Sequence, residues 1–226
     1  MQNLKSKIIS LSNNKKFLAL LIIIGGVFGV FAAITLVLNR IEFYKDPNFV
    51  PTCSINPWLD CGRVMKSKWA ALFGFPNAIL GISLYSLALM TGLTMFFNDN
   101  LNPKFIKACT LVAGLGFVGN NTLTYISSSI IFSLCPWCLL AHTATTLIFF
   151  GLLTYLINSK QLFNNQTQSE LWHNRFSIGW NIWITLFYFA IVPIYVLSIY
   201  QLYAIEVIKD PFFDPIFWLW DKKSFN

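Results

Sequence analysis

The chain has 226 residues, of which 56% are hydrophobic, 17% aromatic and only 11% charged, and its mean hydropathy is +0.60. Soluble domains carry about 25% charged residues, so this composition excludes an ordinary soluble protein as well as a disordered chain, a coiled coil or collagen. The formal net charge is +7, but the basic residues stand in short clusters between long apolar runs. Such clusters are typical of loops that set membrane topology, and we therefore expect contacts with membrane lipid and no nucleic-acid partner.

Five apolar runs are long enough to cross a bilayer, which takes about 18 or more residues with few or no charges. The predicted spans are residues 17–38, 73–97, 108–128, 136–157 and 176–205. The first span is too long for a secretory signal peptide, whose apolar part has about 7 to 15 residues, so we expect it to be retained. The sequence therefore predicts an all-α membrane protein, a four-helix transmembrane bundle with a fifth transmembrane helix.

Short segments surround these spans. Residues 1–16 are predicted to be a cytoplasmic N-terminal segment, and the four-helix bundle 17–157 is predicted to include an outer loop at 39–72. The polar stretch 158–175 is predicted to be a cytoplasmic loop. The tail 206–226 contains several Phe and Trp residues, a composition typical of an interfacial segment, and we expect it outside the cytoplasm.

The orientation follows from the first span, because the 16 Lys and Arg residues divide equally between the two sides of the predicted topology. The N-terminal flank of this span is richer in Lys than its C-terminal flank, which predicts a cytoplasmic N-terminus and an extracytoplasmic C-terminus. The outer loop and the turn near residues 129–135 then face the same extracytoplasmic side. Four of the 5 cysteines lie there.

These four cysteines form two pairs. Cys53 and Cys61 lie in the outer loop and are interpreted as a reactive pair, with a static structural disulfide as the alternative. Cys135 and Cys138 form a CxxC motif at the outer end of the fourth span. Pro136 suits the first helical position, which predicts Cys135 at the N-cap and Cys138 in the first turn, where the helix dipole favours a thiolate.

Other readings of the cysteines stay open at this point. The CxxC residues could be small apolar residues of a helix, and all four cysteines could bind zinc, although oxidising surroundings favour disulfides, so no metal is expected. Cys109 has no nearby thiol in the sequence and is interpreted as a packing residue. Two dithiol pairs on one face indicate electron transfer by thiol–disulfide exchange. Because the sequence has no nicotinamide, haem or metal-cluster motif, we expect a quinone as acceptor, in a pocket beside Cys138.

The segments around the cysteines resemble the vitamin K epoxide reductase family over residues 15–157. The matching segments are Cys53-Ser54-Ile55-Asn56-Pro57, Cys61-Gly62-Arg63-Val64-Met65, Ser67, Trp69, the run FGFPNAILG at 73–81 and the CPWC motif. Bacterial disulfide oxidases of the DsbB type differ, because their CxxC precedes the second cysteine pair. Bacterial family members often use a fifth span to carry a thioredoxin-like domain. No such domain follows here, so the resemblance implies a separate redox partner.

The resemblance also implies a role for each cysteine. Cys53 would exchange with the dithiol of a periplasmic DsbA-like thioredoxin-fold partner, and Cys61 would pass electrons to Cys135. Cys138 would face the quinone, either ubiquinone or menaquinone.

Three polar residues are the candidates for binding the quinone. Ser67 and Asn77 match family positions near the quinone, where a hydroxyl or amide donor can bind a carbonyl oxygen; helix capping or solvation of the span ends is the alternative. His142 departs from the vertebrate pattern, which has Tyr at the matching place. It lies one helical turn beyond Cys138, so both side chains are predicted to face one pocket. The alternative for His142 is a packed, hydrogen-bonded side chain.

The leading interpretation is a thiol:quinone oxidoreductase of the bacterial inner (cytoplasmic) membrane that reoxidises the DsbA-like partner and so drives disulfide formation in secreted proteins. One alternative keeps this enzyme class but acts on vitamin K quinone or its epoxide, although the tail, the fifth span and the missing Tyr argue against it. Another is a membrane scaffold or transporter with a structural outer-loop disulfide. The near absence of ionisable residues in the spans argues against a transporter of charged solutes.

Overall fold

The computed structural model describes residues 14–46, 48–55, 59–98, 101–162, 166–176 and 180–209, without the side chains of 166, 174–176, 180–183 and 199–209. In this part of the chain the regular structure is helical, as predicted. The α-helices are α1 (Lys15–Lys45), α2 (Cys61–Lys66), α3 (Asn77–Phe97), α4 (Pro103–Ser129), α5 (Pro136–Asn158), α6 (Gln166–Phe176) and α7 (Trp180–Lys209). A short 3₁₀ helix, Lys68–Ala71, lies between α2 and α3.

Three helices in the described residues, α1, α3 and α5, are long and apolar enough to cross a membrane. They agree with three of the predicted spans, 17–38, 73–97 and 136–157. Helix α4 contains the predicted span 108–128, but it is more polar than the other three. In α7 the apolar stretch with described side chains is Ile184–Ser198. The count of four spans plus a fifth therefore stays a prediction.

Several predicted boundaries differ from the structure. The second span begins as a helix only at Asn77, because Gly74 adopts a φ of +81° and Pro76 is the N-cap. The stretch 158–175, predicted as a loop, contains most of helix α6, which Ser169 joins to the end of α5 by donating a hydrogen bond to the Lys160 carbonyl at 2.5 Å. Helix α7 continues four residues into the predicted tail, whereas residues 1–13 and 210–226 lie outside the described residues.

Helix α1 packs against both α3 and α5, and α5 also packs against α4. Glycines make the α1 contacts close. A Cβ atom on Gly25 would lie 2.9 Å from the Ala144 carbonyl oxygen of α5, and one on Gly26 would lie 2.8 Å from the Leu89 Cα of α3. Close approach at small residues is the usual way in which helices associate inside a bilayer, where apolar side chains gain nothing from leaving lipid for protein.

The core lies where α1, α3 and α5 meet. It contains the fully buried side chains of Ile22, Met95 and Leu152. Large apolar side chains also cover the outside of the bundle, including Phe31 of α1, which is 55% exposed. Such a surface would be a liability in water, whereas in a membrane it faces lipid.

Candidate active site

The first element of the site is a disulfide in the outer loop. Cys53 and Cys61 are bonded, with their Cα atoms 5.7 Å apart. Cys61, the first residue of α2, is completely buried, and Cys53 is 7% exposed.

Backbone contacts join this loop to the turn between α4 and α5. The Asp60 N–H donates a hydrogen bond to the Leu134 carbonyl at 3.0 Å, and the Ser133 hydroxyl donates to the Asp60 carbonyl at 3.2 Å. Cys61 follows Asp60 in the chain, and Cys135 follows Leu134. The two hydrogen bonds therefore hold the backbones next to both cysteines.

Cys135 is the N-cap residue of α5 and Pro136 is its first helical residue, as the CPWC motif predicts. The Sγ atom of Cys135 lies 3.1 Å from the Sγ atom of Cys61, and both residues are buried. Thiol–disulfide exchange begins when a thiolate attacks one sulfur of a disulfide. The two cysteine pairs predicted from the sequence are thus in direct contact, at the sulfurs that the resemblance pairs.

The environment of Cys135 favours its thiolate form. The pKa of Cys135 lies below its ordinary value, chiefly because the Cys138 side chain donates a hydrogen bond to its sulfur, and burial opposes this effect. The backbone N–H groups of Cys138 and Trp137 lower the pKa of Cys135 further, whereas the nearby Asp60 carboxylate raises it. Exposed N–H groups at a helix N-terminus stabilise negative charge in this way.

A cavity of about 160 Å³ lies beside Cys135 and Cys138. Its walls come from α1, α2, α3, α4, α5 and the 3₁₀ helix, and they are mostly apolar. An apolar cavity of about 150 Å³ is large enough to hold a benzene ring, so the volume suits a small aromatic or quinonoid ring. Helices α3 and α4 also border a larger cavity of about 490 Å³, which shares Asn77 and Tyr85 with the first one.

Two of the three predicted quinone-binding residues line the smaller cavity. The Ser67 hydroxyl donates a hydrogen bond to the Val64 carbonyl at 2.7 Å. The Asn77 side chain donates to the Trp69 carbonyl at 2.8 Å and accepts the Leu72 N–H at 3.0 Å. These contacts hold the segment between α2 and α3 in place. Ser67 and Asn77 therefore have a structural role in addition to lining the cavity.

His142, the third candidate, is buried, and its Nδ1 atom lies 2.9 Å from the Thr124 hydroxyl of α4. Thr124 and Cys138 line the cavity, whereas His142 does not number among its lining residues. Four residues along a helix correspond to about 400° of rotation, which leaves an offset of about 40° between Cys138 and His142. This offset directs the imidazole towards α4.

The structure adds two polar residues that sequence reasoning missed. Tyr85 of α3 and Asn120 of α4 line the cavity, and both bind the Thr145 hydroxyl of α5, each at 2.7 Å. Their only signal in the sequence is polarity within an apolar run. Tyr85 follows Asn77 by eight residues, about 800° of rotation, which leaves the two side chains about 80° apart around α3.

A comparison with known protein families identifies the chain. The model of the vitamin K epoxide reductase family matches residues 20–153, which is more than half of the 226 residues. The chain belongs to the vitamin K epoxide reductase family. The match contains both cysteine pairs and the cavity, and it confirms the resemblance found in the sequence. Membership makes this protein an oxidoreductase of a family of membrane proteins that use quinones and generally work with thioredoxin-like partners.

Proposed function

We propose that this family member is a thiol:quinone oxidoreductase that reoxidises a DsbA-like thioredoxin-fold partner and thereby drives disulfide formation in secreted proteins. The observation that carries the proposal is the 3.1 Å distance between the Cys61 and Cys135 sulfurs. A purely structural loop disulfide has no need of a free, thiolate-favouring cysteine in contact with it.

The proposed route begins at the outer loop. A thiolate of the reduced partner attacks Cys53, which breaks the Cys53–Cys61 bond and releases the Cys61 thiolate; the partner's second thiol then closes the partner's disulfide and leaves both loop cysteines reduced. Next, the Cys61 thiolate attacks Cys135 of a Cys135–Cys138 disulfide and releases the Cys138 thiolate. Attack by Cys53 on Cys61 then restores the loop disulfide and leaves Cys135 and Cys138 reduced. The structure has the same bonds as this last state.

The CxxC dithiol completes the cycle at the cavity. A bound quinone, either ubiquinone or menaquinone, would accept two electrons and two protons and leave as the quinol. Cys135 and Cys138 supply both as their disulfide forms. Ser67 and Asn77 are proposed to bind a carbonyl oxygen of the acceptor, since both line the cavity and carry donors. A role for His142 at this site is proposed through Thr124, which does line the cavity.

The proposed location is the bacterial inner membrane, with a cytoplasmic N-terminus and both cysteine pairs on the periplasmic side. The contact between the loop and the start of α5 supports one common side for all four cysteines. A membrane-impermeant thiol reagent should label Cys53 or Cys61 from outside after mild reduction. Labelling from the cytoplasmic side alone would contradict the orientation and the secretory role.

Turnover by the full chain in lipid nanodiscs tests the function. With reduced DsbA and a soluble quinone analogue, the native protein should reduce the quinone, and Cys138→Ala should abolish this activity. The Cys53→Ser variant should accumulate a Cys61–Cys135 disulfide that peptide mass spectrometry detects. Cys109→Ala is the matched control and should behave like the native protein. Failure of the native protein to reduce quinone, or no Cys61–Cys135 link under any redox condition, would refute the proposal.

A further inference from the structure

A tyrosine that the sequence analysis did not select lies in the wall of the cavity. Tyr85 of α3 is 9% exposed, and its ring packs on Gly29 of α1, where a Cβ atom would overlap the ring. The glycine thus lets the tyrosine ring lie flat against α1. Tyr85 lines the cavity together with Cys138.

The Tyr85 hydroxyl belongs to a small polar network across three helices. It donates a hydrogen bond to the Ala141 carbonyl at 2.9 Å and lies 2.7 Å from the Thr145 hydroxyl, both of α5. The Asn120 side chain of α4 donates a hydrogen bond to the same Thr145 hydroxyl at 2.7 Å. Each hydroxyl has one proton and two acceptor lone pairs, so a chain of donation can run from Asn120 through Thr145 to the Tyr85 oxygen. In that arrangement the phenolic proton of Tyr85 can turn from the Ala141 carbonyl, which keeps its helical hydrogen bond, to a molecule in the cavity.

We propose that Tyr85 is a catalytic residue that donates a hydrogen bond to a carbonyl oxygen of the quinone, and that Thr145 and Asn120 position its hydroxyl. This inference rests on the proposed function. Negative charge develops on a quinone oxygen as electrons arrive, and a fixed donor in an apolar site stabilises such charge more than water does. The chain of donors strengthens the last hydrogen bond, because each bond polarises the next one.

The proton and electron count leaves Tyr85 unchanged over a cycle. Cys135 and Cys138 lose two electrons and two protons when their disulfide forms, and the quinone gains the same number. Any proton that the Tyr85 hydroxyl gives to the oxygen is replaced from those thiol protons. No additional oxidant or reductant is needed.

The position of Tyr85 distinguishes it from His142, the residue that the sequence favours for this task. The Tyr85 side chain lines the cavity, whereas His142 reaches the cavity only through its contact with Thr124, which is a lining residue. If the phenol is the donor, loss of its hydroxyl must change the stretching frequency of the quinone carbonyl. A substitution at His142 should leave that frequency close to its value in the native protein.

The test compares Tyr85→Phe with native protein, full length and in nanodiscs, using a soluble benzoquinone analogue with ¹³C-labelled carbonyls. In infrared difference spectra, native protein should shift one carbonyl stretch of the bound analogue to lower frequency, and Tyr85→Phe should lose that shift. The variant should bind the analogue up to about 10-fold more weakly, as expected for one hydrogen bond. Its quinone reduction should fall roughly 10²-fold, the typical effect of removing one charge-stabilising donor.

Four further variants complete the experiment, one of which is His142→Gln, which removes the imidazole. Tyr125→Phe is the matched control, because Tyr125 is 55% exposed on α4, and it should match native protein in all measurements. Thr145→Val should weaken the carbonyl shift, and Thr145→Ser should restore it because the hydroxyl is retained. Exchange between reduced DsbA and the loop disulfide should be unchanged in every variant, which also shows that each one is folded.

The outcomes separate the inference from the function. Native-like carbonyl shift and turnover in Tyr85→Phe, in a preparation whose native form reduces quinone, would refute the role of Tyr85 and leave the proposed function intact. Loss of the shift in His142→Gln but not in Tyr85→Phe would assign the donor to the histidine instead. No quinone reduction by native protein would refute the proposed function itself.

Discussion

The sulfur cluster and the cavity beside it are packed in opposite ways. At the cluster, Cys61 and Cys135 are fully enclosed, and backbone hydrogen bonds fix the chain next to each of them. At the cavity, which Cys135 and Cys138 both line, the mostly apolar walls enclose about 160 Å³ of open space between the helices. Thiol–disulfide exchange between the two cysteine pairs needs sulfurs in contact and no room for a ligand. Electron transfer to a diffusing quinone needs an open space beside a sulfur, into which the quinone ring can enter.

The sulfur cluster and the cavity also differ in their polar groups. Around the sulfurs, the polar contacts are backbone groups together with the Asp60 carboxylate and two serine hydroxyls, and they hold the chain in place. In the cavity they include the side chains of Tyr85, Asn120 and Asn77, set into mostly apolar walls. A few well-placed polar groups in an apolar pocket are typical of sites that orient a small molecule. Perturbing each region should therefore impair a different half of the reaction.

The largest effect is expected where α1 meets the cavity. In Gly29→Ala the added methyl group overlaps the Tyr85 ring, so the ring or the helix must move. We expect the free energy of unfolding to fall by roughly 1–3 kcal/mol, as for other overpacked cores, and quinone binding to weaken. Unfolding in SDS–detergent mixtures and analogue binding measure the two effects.

Gly119→Ala is the control for this prediction, because a Cβ atom on Gly119 would meet no atom within 4 Å. Its free energy of unfolding should stay within about 1 kcal/mol of the native value, the range of helix propensity differences. Exchange between DsbA and the loop disulfide should be near native in both variants. Equal destabilisation by the two substitutions would show that the Gly29–Tyr85 contact has no special role.

The second prediction concerns the cluster and its dependence on pH. Hydrogen bonds from Cys138 and from backbone N–H groups lower the pKa of Cys135, so its thiolate persists at a pH where an ordinary cysteine is protonated. In the chain with the loop disulfide intact and the CxxC pair reduced, which is the bonding in the structure, thiolate absorbance assigned to Cys135 should therefore titrate with a midpoint below that of an ordinary cysteine. Cys138→Ala removes the largest cause of the shift, and the midpoint should rise.

A Cys135→Ser chain in the same background provides the baseline for this titration. If the Cys135 midpoint is at or above that of an ordinary cysteine whether or not Cys138 is present, the hydrogen bond between the two side chains does not activate the thiol. Since a lowered pKa favours the thiolate above the midpoint, attack by Cys135 on Cys61, the reverse of the last exchange step in the proposed route, should slow as the pH falls through that midpoint.

Whether a structural feature could be predicted from the sequence depends on how far apart in the chain the interacting residues lie. The N-cap position of Cys135 follows from local rules for a proline at the first helical position, and the structure agrees. The start of the second span was placed too early, because hydropathy does not register the positive φ of Gly74. Tyr85 was missed because its partners, Thr145 and Ala141, lie 56 or more residues away in the chain.

The smallest effect is expected at Asp60, which organises the loop around Cys61. Its side chain accepts hydrogen bonds from the Gly62 N–H at 2.8 Å and from the Ser54 hydroxyl, and thus caps α2. Asp60→Ala removes this cap and should cost about 1 kcal/mol of stability, the usual value for an N-cap. The same change removes a carboxylate that raises the pKa of Cys135, so it favours the thiolate.

The two consequences of Asp60→Ala act in opposite directions on exchange between Cys61 and Cys135, and Asp60→Asn separates them. The amide keeps a cap acceptor and removes the charge, so Asp60→Asn should keep native stability and lower the midpoint of the Cys135 titration. Asp46→Ala is the matched control, because this carboxylate accepts the Asn48 N–H at 2.9 Å at the end of α1. If Asp46→Ala and Asp60→Ala slow exchange equally, general loosening of the loop explains the effect. A slower exchange in Asp60→Ala alone, with Asp60→Asn near native, would show that the cap on α2 is what keeps the Cys61 sulfur next to Cys135.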